Sequence, residues 1–235
     1  MTEEGAPLLI FDDVVLKQGD FSLSVALSIK QGAVTALMGQ SGAGKSTLLA
    51  AIAGFLSPDQ GQISVDGVKL NQLSPAKRPV SMLFQDNNLF PHLSVLQNVG
   101  LGLRGDLRLS AIEAQHVSDV LTDVGLGGMG DRKPAALSGG QQSRAALARV
   151  LVGSRSVVLL DEPFAALGPA LKAEMLDLVK TRLAGRTIVM VSHDPADAHR
   201  IADTVCIVAD GCVSAPVETK ELFANPPEAL SDYLG

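Results

Sequence analysis

The 235-residue sequence predicts an α/β fold, and three observations carry that reading. Short, wholly apolar runs rich in β-branched residues recur along the chain, the pattern of strands covered on both faces. Stretches with apolar residues at helical spacing alternate with them. A Gly-rich loop joins one such run to one such stretch. Hydrophobic residues make up 46% of the chain and charged residues 19%, enough apolar surface to offset the entropy of ordering the backbone.

Residues 21–29 alternate strictly, with Phe21, Leu23, Val25, Leu27 and Ile29 on one face and Ser22, Ser24, Ala26 and Ser28 on the other. That is a half-buried strand. Residues 34–38 form an apolar run between Gly32 and Gly39, and residues 45–55 then carry Leu48, Leu49 and Ile52 at helical spacing. Further strands are expected at 63–65, ahead of an Asp66-Gly67 turn, and at 80–84, 157–160, 188–191 and 205–209. Between Asp86 and Val152 no such run occurs, and residues 110–124 read as an amphipathic helix with Ile112, Val117, Val120, Leu121 and Val124 inward. Leu171, Met175, Leu178, Val179 and Leu183 mark a later helix, and the tail after Val217 has room for one helix. We expect a single domain with a discontinuous core, residues 1–85 and 153–235, interrupted by a helical subdomain at about 86–152.

Lys and Arg number 19 against 25 Asp and Glu, a net charge of −6, and no basic run stands out. Binding to a nucleic-acid backbone needs clustered cations, so that class is disfavoured; aromatic residues at 3%, with no Trp, supply no base-stacking platform. No stretch approaches the ~18 uncharged residues that cross a bilayer. Residues 1–6 carry Glu3 and Glu4 in place of a cationic leader, so no secretion is expected. Cys206 and Cys212 lack metal-ligand spacing and are expected to stay reduced.

Three motifs carry chemistry. Gly39, Gln40, Ser41, Gly42, Ala43, Gly44, Lys45 and Ser46 fit the phosphate-loop pattern, with Thr47 next in the helix. Its glycines let backbone N–H groups turn inward as an anion nest at a helix start, Lys45 reaches the β and γ phosphates, and the Ser46 hydroxyl coordinates Mg²⁺. The apolar run at 157–160 ends in Asp161-Glu162, at the strand end where open α/β sheets place their ligands. Asp161 suits a Mg²⁺ shell and Glu162 suits activation of water, although an acidic pair at this place also serves as a helix cap or a solvated turn. Leu137-Ser138-Gly139-Gly140-Gln141 precedes a helix from about Gln142 to Leu151. Ser138 there is either a plain N-cap or part of a second anion-binding helix start.

Taken together, the phosphate loop, LSGGQ about ninety positions later, the strand ending in Asp161-Glu162-Pro163 and Ser192-His193-Asp194 after a further strand resemble the ATP-binding cassette subunit of ABC transporters. The resemblance spans nearly the whole chain. It implies a P-loop NTPase (RecA-like) core with a mixed β-sheet, an N-terminal antiparallel β region and an inserted α-helical subdomain. It implies ATP and Mg²⁺ as cofactors, residues Gly39 to Thr47 holding nucleotide, and Ser46, Gln85 and Asp161 holding the metal. Glu162, His193 and Gln85 take the catalytic positions. Ser138, Gly139, Gly140 and Gln141 would contact ATP held by a second copy in a head-to-tail homodimer. The implied assembly includes a transmembrane permease and, indirectly, a periplasmic solute-binding protein, at the cytoplasmic face of the bacterial inner membrane; no nucleic acid is involved. His92, His116 and His199 read as ordinary surface or core residues, and little chain remains for a C-terminal regulatory domain.

Two departures from the family pattern stand out. Ala165-Ala166-Leu167-Gly168 replaces the usual Ser-Ala-Leu-Asp, and the early loop at 14–20 has no aromatic to stack on adenine, Phe11 and Phe21 fitting buried strand positions better. A closer likeness, to the ATPase subunits of bacterial thiamine importers, rests on residues 78–93, on 97–103, on Asp161-Glu162-Pro163-Phe164-Ala165-Ala166-Leu167 and on Pro169-Ala170-Leu171. In it, residues 86–96 would line the groove that receives the permease; Leu89 and Phe90 are either a docking patch or core of the helical subdomain. The rival readings are an importer of another small solute (an anion, a metal chelate or a polyamine), a soluble cassette ATPase acting on DNA or ribosomes, and an impaired cassette with a regulatory role.

Overall fold

The computed structural model describes residues 9–226, so the acidic start at residues 1–6 and the end of the tail lie outside the described residues. In chain order the elements are β1 (Leu9–Gln18), β2 (Phe21–Ile29), β3 (Val34–Met38), α1 (Lys45–Ala53), β4 (Gln60–Val65), β5 (Val68–Lys69) and β6 (Val80–Leu83). They continue with α2 (Val95–Gly100), α3 (Ala111–Asp123), α4 (Gly139–Leu151), β7 (Val157–Asp161), α5 (Pro169–Arg182), β8 (Thr187–Val191), α6 (Pro195–Ile201), β9 (Thr204–Ala209), β10 (Cys212–Val213), β11 (Val217–Glu218) and α7 (Thr219–Ala224). Two compact units divide the described chain: residues 9–81, 155–161 and 184–226 form one, and residues 82–154 and 162–183 the other.

The first unit is organised by a mixed sheet in the order β5-β4-β1-β2-β10-β9-β3-β8-β7-β6, with β11 added to β9. The parallel strands β3, β7 and β8 are buried at every residue, which is why their sequences run apolar without alternation. The antiparallel strands β1, β2, β4 and β5 form the N-terminal region, and β2 buries Leu23, Val25 and Ile29 while its serines face out. Residues 14–18, expected as loop, belong to β1; Gln18 pairs with Phe21, so the turn holds only Gly19 and Asp20. A register shift between Phe11 and Val14, with Asp13 at φ 45°, breaks the period-2 pattern and hides the strand.

The second unit is helical. In α3 the buried stripe is Val117, Val120 and Leu121, with Val124 just beyond. Ile112, expected inward, is 83% exposed. Its turn is held by a capping box instead of by burial, Ser110 Oγ accepting from Glu113 N and Glu113 Oε2 accepting from Ser110 N. In α4 the side chains of Ala145, Ala146, Leu147, Ala148, Val150 and Leu151 are buried, and Arg144 Nη1 donates to Val124 O (2.9 Å) and Gly125 O (3.1 Å) at the C-terminal end of α3. Leu89 is half-buried and Phe90 is 42% exposed. Among the described residues no helix is long and apolar enough to cross a membrane.

Candidate functional site

The site starts where β3 ends. Its buried run brings the chain to Gly39, whose φ of 147° and position against β9 exclude a side chain: a Cβ there would lie 2.2 Å from Val208 O. Gly44, the N-cap of α1 at φ 107°, is held to glycine by that conformation, and a Cβ there would also press on the Phe21 ring, 2.6 Å from its Cζ. The loop between these glycines turns tightly, Ala43 N donating to Gln40 O at 3.2 Å. The Lys45 ammonium is buried and donates to Gly39 O (2.7 Å) and Gln40 O (2.8 Å). Helix α1 has no acidic residue in its first turn, so its positive end is uncompensated by its own side chains. Ser41 and Gly42 are exposed, and a concavity of about 390 Å³ runs beside the loop, lined by Gly39 to Ala43 and by Ile207, Val208, Ala209 and Asp210.

Strand β7 delivers Asp161, buried as its last residue, to the start of α1. Ser46 Oγ donates to Asp161 Oδ1 at 3.2 Å across 115 positions of sequence. Thr47, next to Ser46, is half-buried on α1. Glu162 follows directly with φ 44°, a conformation that costs a glutamate about 1–3 kcal/mol and is characteristic of functional turns. After β8, His193 is exposed between two anchored neighbours: Ser192 Oγ donates to the buried carboxylate of Asp197 and accepts from Asp194 N (3.1 Å), while Asp194 Oδ1 accepts from Ala196 N (2.9 Å) as the cap of α6.

In the second unit Gln85 is exposed in the segment after β6. Ser138 is the N-cap of α4. Its Oγ accepts from Gln141 N (3.3 Å), and Gln141 Oε1 accepts from Ser138 N (2.9 Å). Gln141 is thus engaged in the cap, with Nε2 turned to Met129 Sδ at 3.8 Å. Gly139 borders open space, whereas a Cβ on Gly140 would meet Leu167 Cδ2 at 3.0 Å. Gly168 stands at the N-cap of α5 without a side chain to cap it. His199 stacks on Phe223 at 4.3 Å between ring centroids, in keeping with an ordinary packing role.

The structure therefore joins the loop, Lys45, Ser46 and Asp161, and it builds a separate helix start from Ser138 to Gln141. Sequence reasoning did not find Asp197 beneath Ser192 or Ile207 to Asp210 beside the loop, because neither set has a motif of its own. A family model described as ABC transporter matches residues 23–165, more than half of the chain. The chain belongs to the ABC transporter family.

Its relatives include proteins named "Thiamine import ATP-binding protein ThiQ" from Ruegeria sp. (strain TM1040), 56% identical over 97% of this chain and 100% of the relative, and from Brucella suis biovar 1, 47% identical over 95% and 94%. Among solved structures, a dimeric post-hydrolysis state of the ATP-binding cassette MJ0796 bound to ADP and Pi is 30% identical, with a TM-score of 0.80 over 90% of this chain and 98% of that one. A nucleotide-free cassette from an ABC transporter, 23% identical, shares the fold with a TM-score of 0.82 over 97% and 99%. The expected P-loop core with a mixed sheet is thus the fold of an ABC cassette. Cassettes of this family are nucleotide-binding ATPases.

Proposed function

We propose that the chain is the ATP-hydrolysing subunit of a thiamine importer, working as a homodimer beneath a transmembrane permease at the cytoplasmic face of the bacterial inner membrane. A periplasmic solute-binding protein delivers the solute. The observation that carries the ATPase reading is the phosphate loop with Lys45 at its centre and the Ser46–Asp161 pair at its edge. The choice of solute is supported by full-length relatives of up to 56% identity that bear the thiamine import name.

In this reading the N–H groups of Gly39 to Thr47 bind phosphate oxygens, and Lys45 donates to the β and γ phosphates. The Ser46 hydroxyl and the Asp161 carboxylate, 3.2 Å apart, are two hard oxygen donors and fit Mg²⁺, with Gln85 as a further proposed ligand. Mg²⁺ held by these residues would supply positive charge to offset that of the phosphates. Glu162 orients the attacking water and accepts its proton, and His193 holds the γ phosphate. Ser138, Gly139 and Gly140 donate to nucleotide held by the second copy, while Gln141 keeps the helix start capped. Contacts present with ATP and lost with ADP favour the closed dimer before hydrolysis and the open one after it.

The direct test is titration calorimetry with MgATP. Lys45→Ala removes the cation on the phosphates and is expected to weaken binding by about a hundredfold or more, two charge-assisted hydrogen bonds being worth about 3 kcal/mol. Equal affinity in the variant would refute the phosphate cradle. Uptake of labelled thiamine by cells with and without the chain decides the solute. A permease for another solute recovered with the chain from membranes would keep the ATPase and discard thiamine.

A further inference from the structure

The segment between β6 and α2 places two consecutive asparagines in the left-handed region, Asn87 at φ 61° and Asn88 at φ 45°. Asparagine tolerates that conformation better than most residues, yet two in succession carry a cost that other contacts must offset. Two helices of the same unit supply those contacts. From the last turn of α4, Arg149 donates through Nη1 to Asn88 O (2.8 Å) and through Nη2 to Asn87 O (2.9 Å). From α2, the fully buried Asn98 accepts from Phe90 N at Oδ1 (2.8 Å) and donates from Nδ2 to Phe90 O (3.0 Å). Residues 87–90 form no helix or strand, but both ends are clamped, and Phe90 leaves the clamp 42% exposed.

The two clamps differ in reach. Asn98 lies eight positions from Phe90 and closes a local loop. Arg149 spans 61 positions and stands in the last turn of a 13-residue helix that begins beside Ser138, about 17 Å away at the rise of an α-helix. A guanidinium fork suits two neighbouring carbonyls at once, which an ammonium on a flexible stem does not. We propose that Arg149 is a positioning residue: through it α4 sets the left-handed Asn87–Asn88 turn, so that the helix starting at Ser138 and the segment following Gln85 move as one body. The functional weight of this link rests on the reading of Ser138 and Gln85 given above. The link itself does not.

Amide hydrogen exchange over the full chain tests it in the unaltered protein, Arg149→Met, Arg149→Lys, and Arg149→Met combined with Asn87→Gly and Asn88→Gly. In Arg149→Met, exchange at residues 87–90 is expected to rise at least about tenfold, while the amides of β3 and β7 keep their rates. Arg149→Lys falls between, and the glycine pair restores protection because glycine adopts the left-handed region freely. In ATP hydrolysis, Arg149→Met lowers kcat and leaves KM for ATP unchanged. Unchanged exchange at 87–90 overturns the proposal. So does a loosening of the whole helical unit that the glycine pair fails to reverse, because Arg149 would then serve packing alone. An unaltered chain that does not hydrolyse ATP would refute the proposed function, and the exchange pattern would still decide the role of Arg149.

Discussion

Single residues in the core carry charges and thiols that burial has to accommodate. Arg78, 2% exposed, donates through Nη1 to Ala51 O (2.7 Å) and Ile52 O (2.8 Å), the last carbonyls of α1, and through Nε to Leu73 O (3.0 Å). It thus caps the helix that begins with the phosphate loop, at the end where a cation is favoured. Arg78→Met leaves those carbonyls without that donor, and chemical denaturation is expected to show a loss of about 2–3 kcal/mol. Cys206 is fully buried on β9, and desolvation pushes its thiol up to about 12. A folded-state value above the unfolded one means that the native chain retains the proton longer, so stability falls as pH rises from the ordinary thiol range toward 12. A thiol reagent is expected to modify Cys212, which is exposed, at once, and Cys206 only on unfolding. Two fast-reacting thiols in the folded chain would contradict this.

At the scale of elements, α4 is specified by its first four residues. The reciprocal bonds between Ser138 and Gln141 satisfy backbone donors that a helix start otherwise exposes. Ser138→Ala is expected to lose about 1 kcal/mol in denaturant titration, and Ser138→Asn to lose much less, independently of any effect on hydrolysis. Equal losses in the two variants would show that the cap contributes nothing. Elements with an unbroken period were readable in advance: β2 by alternation, and β3, β7 and β8 by runs that follow from burial on both faces. Strand β1 was not, because the bulge around Asp13 moves Phe11 and Val14 out of one period. Ile112 misled for a related reason, a capping box holding a turn that has no core to face.

For the whole molecule, the phosphate loop was legible because glycine, lysine and serine must follow one another closely to form it. The nearness of Ser46 and Asp161 was legible only through the family resemblance, which gives both to one metal, since nothing local marks two residues 115 positions apart as neighbours. Assembly is where the proposed function meets its strictest check. Glu162→Gln retains every phosphate contact and loses only the proton acceptor, so under saturating MgATP it is expected to accumulate as a dimer by light scattering, with hydrolysis reduced at least about a hundredfold. A variant that stays monomeric there would remove the head-to-tail dimer from the account. Lys45 has a kinetic corollary as well. Because its ammonium bonds to Gly39 O and Gln40 O and has three donors in all, it gives up at least one of those bonds to reach both the β and γ phosphates, so capture of an anion exchanges a backbone partner for a phosphate oxygen. Nucleotide association then includes that exchange of partners as well as the encounter itself.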